Sequence, residues 1–233
     1  MAAAVTKKVE LGTSVLVAPL HGPTELARGL ATLDNASGGR VIAGLGTGWS
    51  LDEYLAAGVV PFEKRGAALD EALDVFAAVW GPDPVSYVGE RTRINPSQIG
   101  PKPKRAIPIH LAGSTPQALR RVARRADTWM PVALGAASLA EGWARLQDYA
   151  AEAGREKPLG ISLRVNAYFS RERNTEAGRY PGAGNVEQIV ADIVEHCEVV
   201  PVTDVLLDMT GTLHDAGEMM DVSEELYSVL RTL

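Results

Sequence analysis

Arg40-Val41-Ile42-Ala43-Gly44-Leu45-Gly46-Thr47-Gly48-Trp49 carries an aliphatic, β-branched run straight into a turn with glycines at 44, 46 and 48. A run this short, bounded by glycines, reads as a buried strand over 40–45 rather than a helix. On its N-terminal side Leu26, Leu30 and Leu33 recur at i, i+4 and i+7 within 23–35, a helix that stops before Ser37-Gly38-Gly39. On its C-terminal side Leu69, Leu73, Phe76 and Trp80 stripe a long helix over 62–80, ended by Gly81-Pro82-Asp83-Pro84. Helix, buried strand, glycine turn and helix form the repeating unit of α/β proteins with parallel sheets.

The pattern extends in both directions. A first strand is expected over 9–17, closed by Ala18-Pro19, and further strands over 107–112, 129–132, 161–169 and 204–209. Helices are expected over 117–126, 138–154, 186–199 and 222–233. Two short runs, 85–88 and 92–94, flank Gly89-Glu90-Arg91 as a hairpin. The Pro-rich stretch 96–108 reads as a loop, and the polar, Gly-rich stretch 170–184 as a mobile excursion. This makes six β/α units with no linker dividing two cores, so residues 1–233 are expected to form a single domain. A doubly wound open sheet and most of a (β/α)8 barrel both satisfy the pattern, and in both the ligand lies at the carboxyl ends of the strands.

Composition limits the functions available. Of 233 residues 46% are apolar, which excludes a disordered chain. The 23 Lys and Arg against 29 Asp and Glu give a net charge of −6, contrary to a protein that neutralises nucleic-acid phosphates. The single cysteine, Cys197, excludes an intrachain disulfide framework and a Cys-based zinc site, and fits a reducing, cytoplasmic setting. No apolar run is long enough for a membrane span, and the first residues lack the apolar stretch of a secretory signal.

The strand ends carry the candidate chemistry. Gly46, Thr47 and Gly48 allow the backbone to approach a phosphate or a flat ring, or simply make a tight turn; the full G-x-G-x-x-G fingerprint fails at Trp49 and Leu51. Gly113-Ser114-Thr115-Pro116 combines a flexible residue, a hydroxyl cap and a first-turn proline, as a phosphate-binding helix start requires and as an ordinary cap requires too. Arg120, Arg121, Arg124 and Arg125 on the following helix read as a solvated face, from which one could reach a phosphate tail. Asp52 and Glu53 suit a ring or ribose, or the positive end of a helix dipole. His110 falls inside a strand, His21 and His214 in loops after strands, and His196 beside Cys197 without metal geometry. No HExxH, H-x-E or Ser-His-Asp arrangement is present, so any redox chemistry must come from a cofactor.

Several of these motifs recur in order in a known family. Leu11-Gly12-Thr13-Ser14-Val15-Leu16-Val17, then Ala31-Thr32-Leu33-Asp34 with Ser37-Gly38-Gly39-Arg40, then Gly44 to Trp49 with Asp52-Glu53-Tyr54 resemble the luciferase-like monooxygenase superfamily. Arg65-Gly66 with Asp70-Glu71, and Pro108 to Ser114 with Ala118-Leu119, continue the resemblance to Ala126-Asp127. It is strong over the first 130 residues and weak beyond. The chain is most similar to the branch that uses the deazaflavin coenzyme F-420 (F420), with FMN as the alternative.

The resemblance implies an α/β, (β/α)8 TIM-barrel-like fold and an oxidoreductase that passes hydride between the ring and a small organic substrate. It implies a non-proline cis peptide at Ser14-Val15 behind the ring, and Val17, Gly46, Thr47 and Gly48 beside it. Asp52 falls where relatives use a polar side chain, and Ala112, Gly113, Ser114 and Thr115 match the loop that takes the cofactor phosphate. Family members place two β/α units before the Leu-Gly-Thr-Ser motif, which here starts at residue 11. The expectation is therefore an incomplete barrel of about six units, with the first two missing. Those units normally supply part of the ring pocket and the proton-handling residue, so no catalytic residue is assigned. A homodimer covering the open side of the barrel is expected. The competing expectation is a catalytically silent homologue that binds a flavin or serves assembly.

Overall fold

The computed structural model describes residues 1–132, 135–213 and 215–231. Backbone contacts group the chain into two units, residues 1–112 with 124–128, and residues 113–123 with 129–233.

The first unit begins with a short helix, α1 (Ala2–Val5), followed by the strand expected over 9–17, which is split into β1 (Leu11–Gly12) and β2 (Leu16–Val17). A 3-10 turn over Ala18–Leu20 leads to α2 (Pro23–Ser37), with proline in its first turn and Gly38 at φ +79° as its stop. The helix buries Ala27, Leu30, Ala31 and Asp34, while Leu33 of the expected stripe is 40% exposed. The small alanines set the inward face, and Trp80 Nε1 donates to Ala27 O at 2.9 Å across it. Strand β3 (Val41–Gly46) is buried at every position but Ile42.

Next come α3 (Leu51–Ala57), which places Asp52 and Glu53 in a first helical turn, the second of the two readings of that pair, and α4 (Arg65–Trp80), which buries Leu69, Leu73 and Phe76 as the spacing predicts. The antiparallel hairpin β4 (Val85–Val88) and β5 (Arg93–Ser97) forms where expected, and its second strand runs on through Pro96. Strand β6 (Ile109–Ala112) completes the unit. β1 and β2 both run parallel to β3, which pairs in parallel with β6 on its other side.

The second unit opens with α5 (Pro116–Arg125), whose last two residues belong to the first unit, as does Thr128 of β7 (Thr128–Met130). Trp129 is the bulkiest fully buried side chain. Helix α6 (Ala136–Glu152) buries Leu139 and Leu146. In β8 (Gly160–Asn166) the odd positions Ile161, Leu163 and Val165 are at most 1% exposed, whereas Arg164 and Asn166 on the other face are half-buried.

After β8, β9 (Tyr168–Phe169) and β10 (Ala183–Gly184) pair in parallel at the two ends of the stretch expected to be mobile. That stretch is fastened from α7 (Val186–Val199): Asp192 accepts from Arg179 Nη1 at 2.7 Å, Arg179 Nη2 at 2.5 Å and Gly182 N at 2.7 Å. Gln188 also donates to Asn174 O at 2.9 Å. Asn185 and Gln188 form a capping box that starts α7 at the expected residue. Strand β11 (Asp204–Asp208) runs parallel to β8. Helix α8 (Ala216–Leu230) begins earlier than the apolar spacing suggests, because Asp215 caps it, accepting from Gly217 N and Glu218 N at 2.9 and 3.0 Å. With the split β1 and β2 counted as one strand, the six strands β1/β2, β3, β6, β7, β8 and β11 are each followed by a helix, the α/β units read from the sequence.

Candidate functional site

In the first unit the site begins with a register mismatch. Gly12 pairs with Ile42 and Leu16 with Leu45, so Thr13, Ser14 and Val15 stand opposite only Ala43 and Gly44. One extra residue is a β-bulge, and it leaves Gly44 without a backbone partner on that side. The Thr13 hydroxyl takes the vacant place: Oγ1 donates to Gly44 O at 2.7 Å and accepts from Gly44 N at 3.1 Å. The Ser14–Val15 peptide at the crest is cis.

The bulge presses Val15 against the end of β3. A Cβ on Gly46 would lie 2.8 Å from Val15 Cγ2 and 3.7 Å from the Ala112 Cβ, so only glycine fits. Gly48 has φ +68°, and a Cβ there would lie 2.9 Å from Val17 Cγ1. Between them Thr47 is held by its carbonyl, which accepts from the Tyr54 hydroxyl at 2.6 Å. Tyr54 is 2% exposed and meets Phe62 edge-on at 5.4 Å; burial pushes its phenol above the ordinary range and keeps it a donor. Ser14, Val15, Val17, Gly46, Thr47, Gly48 and Ala112 thus gather around one strand end. Asp52 lies apart on the exposed first turn of α3, which Ser50 caps by accepting from Glu53 N at 3.4 Å.

In the second unit Gly113 has φ +122°, and a Cβ there would lie 2.7 Å from the Ala118 Cβ. Thr115 caps α5, its hydroxyl accepting from Ala118 N at 3.2 Å, and Ser114 and Thr115 are both exposed. The Trp129 indole donates to Gly113 O at 2.9 Å and fixes the turn from below. Beside it is a cavity of about 290 Å³, lined by Gly113, Ser114, Trp129, Ser138 and Arg145 among others. The arginines of α5 are largely spoken for: Arg120 stacks 4.3 Å above the Tyr149 ring, and Arg125 pairs with Asp74 at 2.6 Å.

The remaining candidates divide by burial. His110 is a buried residue of β6, and His196 is buried on α7 with Nδ1 against Asp192 O. His21 is exposed and lines a cavity of about 240 Å³ with Glu71 and Arg91. His214 lies outside the described residues. Among the described residues no group of His, Cys, Asp and Glu is placed to hold a metal. Among the described residues no helix is long and apolar enough to cross a membrane.

Three side chains escaped the sequence reading. Thr13 belonged to a quoted motif, but only the register shows what its hydroxyl replaces. Trp129 reads as an ordinary strand residue, and Arg145 as one more charge on an exposed helix face.

Residues 1–180 match the model of the family described as luciferase-like monooxygenase. An uncharacterised protein of Mycobacterium tuberculosis is 38% identical over 157 residues, covering 66% of this chain and 55% of that protein. An F420-dependent glucose-6-phosphate dehydrogenase of Nakamurella multipartita is 32% identical over 182 residues, 75% of this chain and 54% of that enzyme. The chain therefore spans about half the length of the curated relatives it matches. A solved structure of an F420-dependent secondary alcohol dehydrogenase, in complex with an F420–acetone adduct, superposes with a TM-score of 0.81 at 18% identity. It covers 98% of this chain and 82% of that one, a likeness of fold alone.

Proposed function

Because the chain belongs to the luciferase-like monooxygenase family, we propose that it is an oxidoreductase of the F420-dependent kind, with FMN as the second choice of cofactor. The observation that carries this reading is the set of three glycines at strand ends. At Gly46 and Gly48 in the first unit and at Gly113 in the second, a Cβ would collide with Val15, Val17 and Ala118 respectively, so each turn stays bare backbone, which would let a flat ring approach the first turn and a phosphate the second.

Bound there, a deazaflavin or flavin supplies hydride transfer to or from a small organic substrate. The chain's own part is positioning. Ser14, Val15 and Val17 would back the ring, the Gly46-Thr47-Gly48 turn would lie along its edge, and Asp52 would offer an acceptor to the polar chain. Ala112, Gly113, Ser114 and Thr115 would take the phosphate, with the Thr115 hydroxyl already engaged as a cap and the Ser114 hydroxyl exposed. The reading includes a homodimer in the cytoplasm that covers the open side of the barrel; the exposed apolar side chains Trp49, Leu51, Leu55 and Val59, 88, 49, 69 and 47% exposed, are further surface that a second copy would cover. A monodisperse monomer in native mass spectrometry would contradict that part.

Anaerobic incubation of the chain with oxidised F420 and a panel of small alcohols tests the activity, followed by the loss of deazaflavin absorbance. Substrate-dependent bleaching is expected. Binding without bleaching favours a catalytically silent cofactor-binding homologue instead.

A further inference from the structure

We infer that the cavity beside Gly113 and Ser114 accepts an acidic prolongation of the cofactor chain beyond its phosphate, with Arg145 as the cation that meets it; this rests on the cofactor reading above. The cavity measures about 290 Å³, far more than a phosphate alone fills. Its inner wall is the buried Trp129 indole, fixed by the bond from Nε1 to Gly113 O. Helix α6 closes onto that ring because residue 142 is glycine, whose Cβ would lie 2.8 Å from Trp129 Cη2. The lining also carries polar side chains of α6, Ser138, Glu141 and Arg145 at i, i+3 and i+7.

Glu141 and Arg145 are the charged residues of this lining. They pair with each other at 3.5 Å, with side chains 71% and 60% exposed. So exposed a pair is weak, and the guanidinium can exchange Glu141 for another carboxylate at little cost. FMN ends in a phosphate monoester and has nothing to put in the space beyond it. F420 continues through a phosphodiester into a chain of carboxylates, which matches a cavity whose lining includes a cation, Arg145. The cavity is therefore where this chain tells the two cofactors apart.

The test uses the full chain with two fluorescent probes, F420 and the same deazaflavin ending in a 5′-phosphate. Arg145→Gln should weaken F420 binding about twofold to fivefold, the range of an exposed ion pair, and leave the shortened probe unchanged. Glu141→Gln should tighten F420 alone, Arg145→Lys should restore most of the loss, and about 0.5 M salt should level the variants. Equal weakening of both probes, or no change with F420, overturns the inference while leaving the cofactor reading in place. Failure of the parent chain to bind either probe overturns both.

Discussion

Replacing Thr13 by valine keeps the shape of the side chain and removes its hydroxyl. That hydroxyl is bonded to both polar groups of Gly44, at 2.7 and 3.1 Å, inside a buried strand. Leaving a buried donor or acceptor unpaired costs about 1–3 kcal/mol each. Two such groups give about 2–6 kcal/mol, and because Thr13 itself is only half-buried, water can reach in and the lower half of that range applies. For a chain of this size, with about 2–4 °C of melting temperature per kcal/mol, a loss of about 2–4 kcal/mol means that Thr13→Val should melt roughly 4–16 °C below the parent. Thr13→Ser keeps the hydroxyl and should lose no more than about 1 kcal/mol. Calorimetry and urea titration of the three proteins measure both differences. If Thr13→Val lies within about 0.5 kcal/mol of the parent, or if serine and valine lose equally, the hydroxyl is not standing in for a backbone partner and the account of the bulge is wrong.

Gly142→Ala should destabilise the protein by about 1–2 kcal/mol although alanine is the better helix former, because the new Cβ would overlap the buried Trp129 ring. Gly29→Ala on α2, with nothing within 4 Å of its Cβ, is the control and should gain about 0.5–1 kcal/mol in the same melts. Arg179→Met removes the partner of Asp192, which is 8% exposed, and should cost about 3–5 kcal/mol while making residues 170–184 open to limited proteolysis; an unchanged cleavage pattern would show the clasp to be unimportant. The Asp208 carboxyl lies below the ordinary aspartate range because Thr210 and then Arg164 hydrogen-bond to its charged form. A depressed value in the folded state adds stability above the unfolded value, about 3.9, which is lost as pH falls through the folded one. Asp208→Asn should therefore lower stability at neutral pH and flatten the acid limb below about pH 4, a change that pH-dependent urea melts would detect.

Much of the fold was legible because it rests on period. The stripe of α4 and the start of α7 follow from apolar spacing and a capping residue. What escaped was decided by a single polar group. Ser50 starts α3 and Asp215 starts α8, each by capping a backbone N–H, and neither lies in the apolar pattern. The excursion over 170–184 reads as mobile from its glycines and charges, yet one buried carboxylate, Asp192, fastens it from a helix. In the candidate site the glycines were legible as glycines, but the reason for each lies in a neighbour distant in sequence, Val15 for Gly46 and Val17 for Gly48. The bulge itself is no feature of either strand alone, since it is a property of two strands in register.

Equilibrium titration of the full chain with oxidised F420, followed by quenching of deazaflavin fluorescence, goes to the heart of the cofactor reading. Saturable binding in the micromolar range, weakened when Gly46→Ala forces a Cβ against Val15 and displaces it in a chain that still melts cooperatively, is the predicted result. No saturation with F420 or with FMN would contradict it.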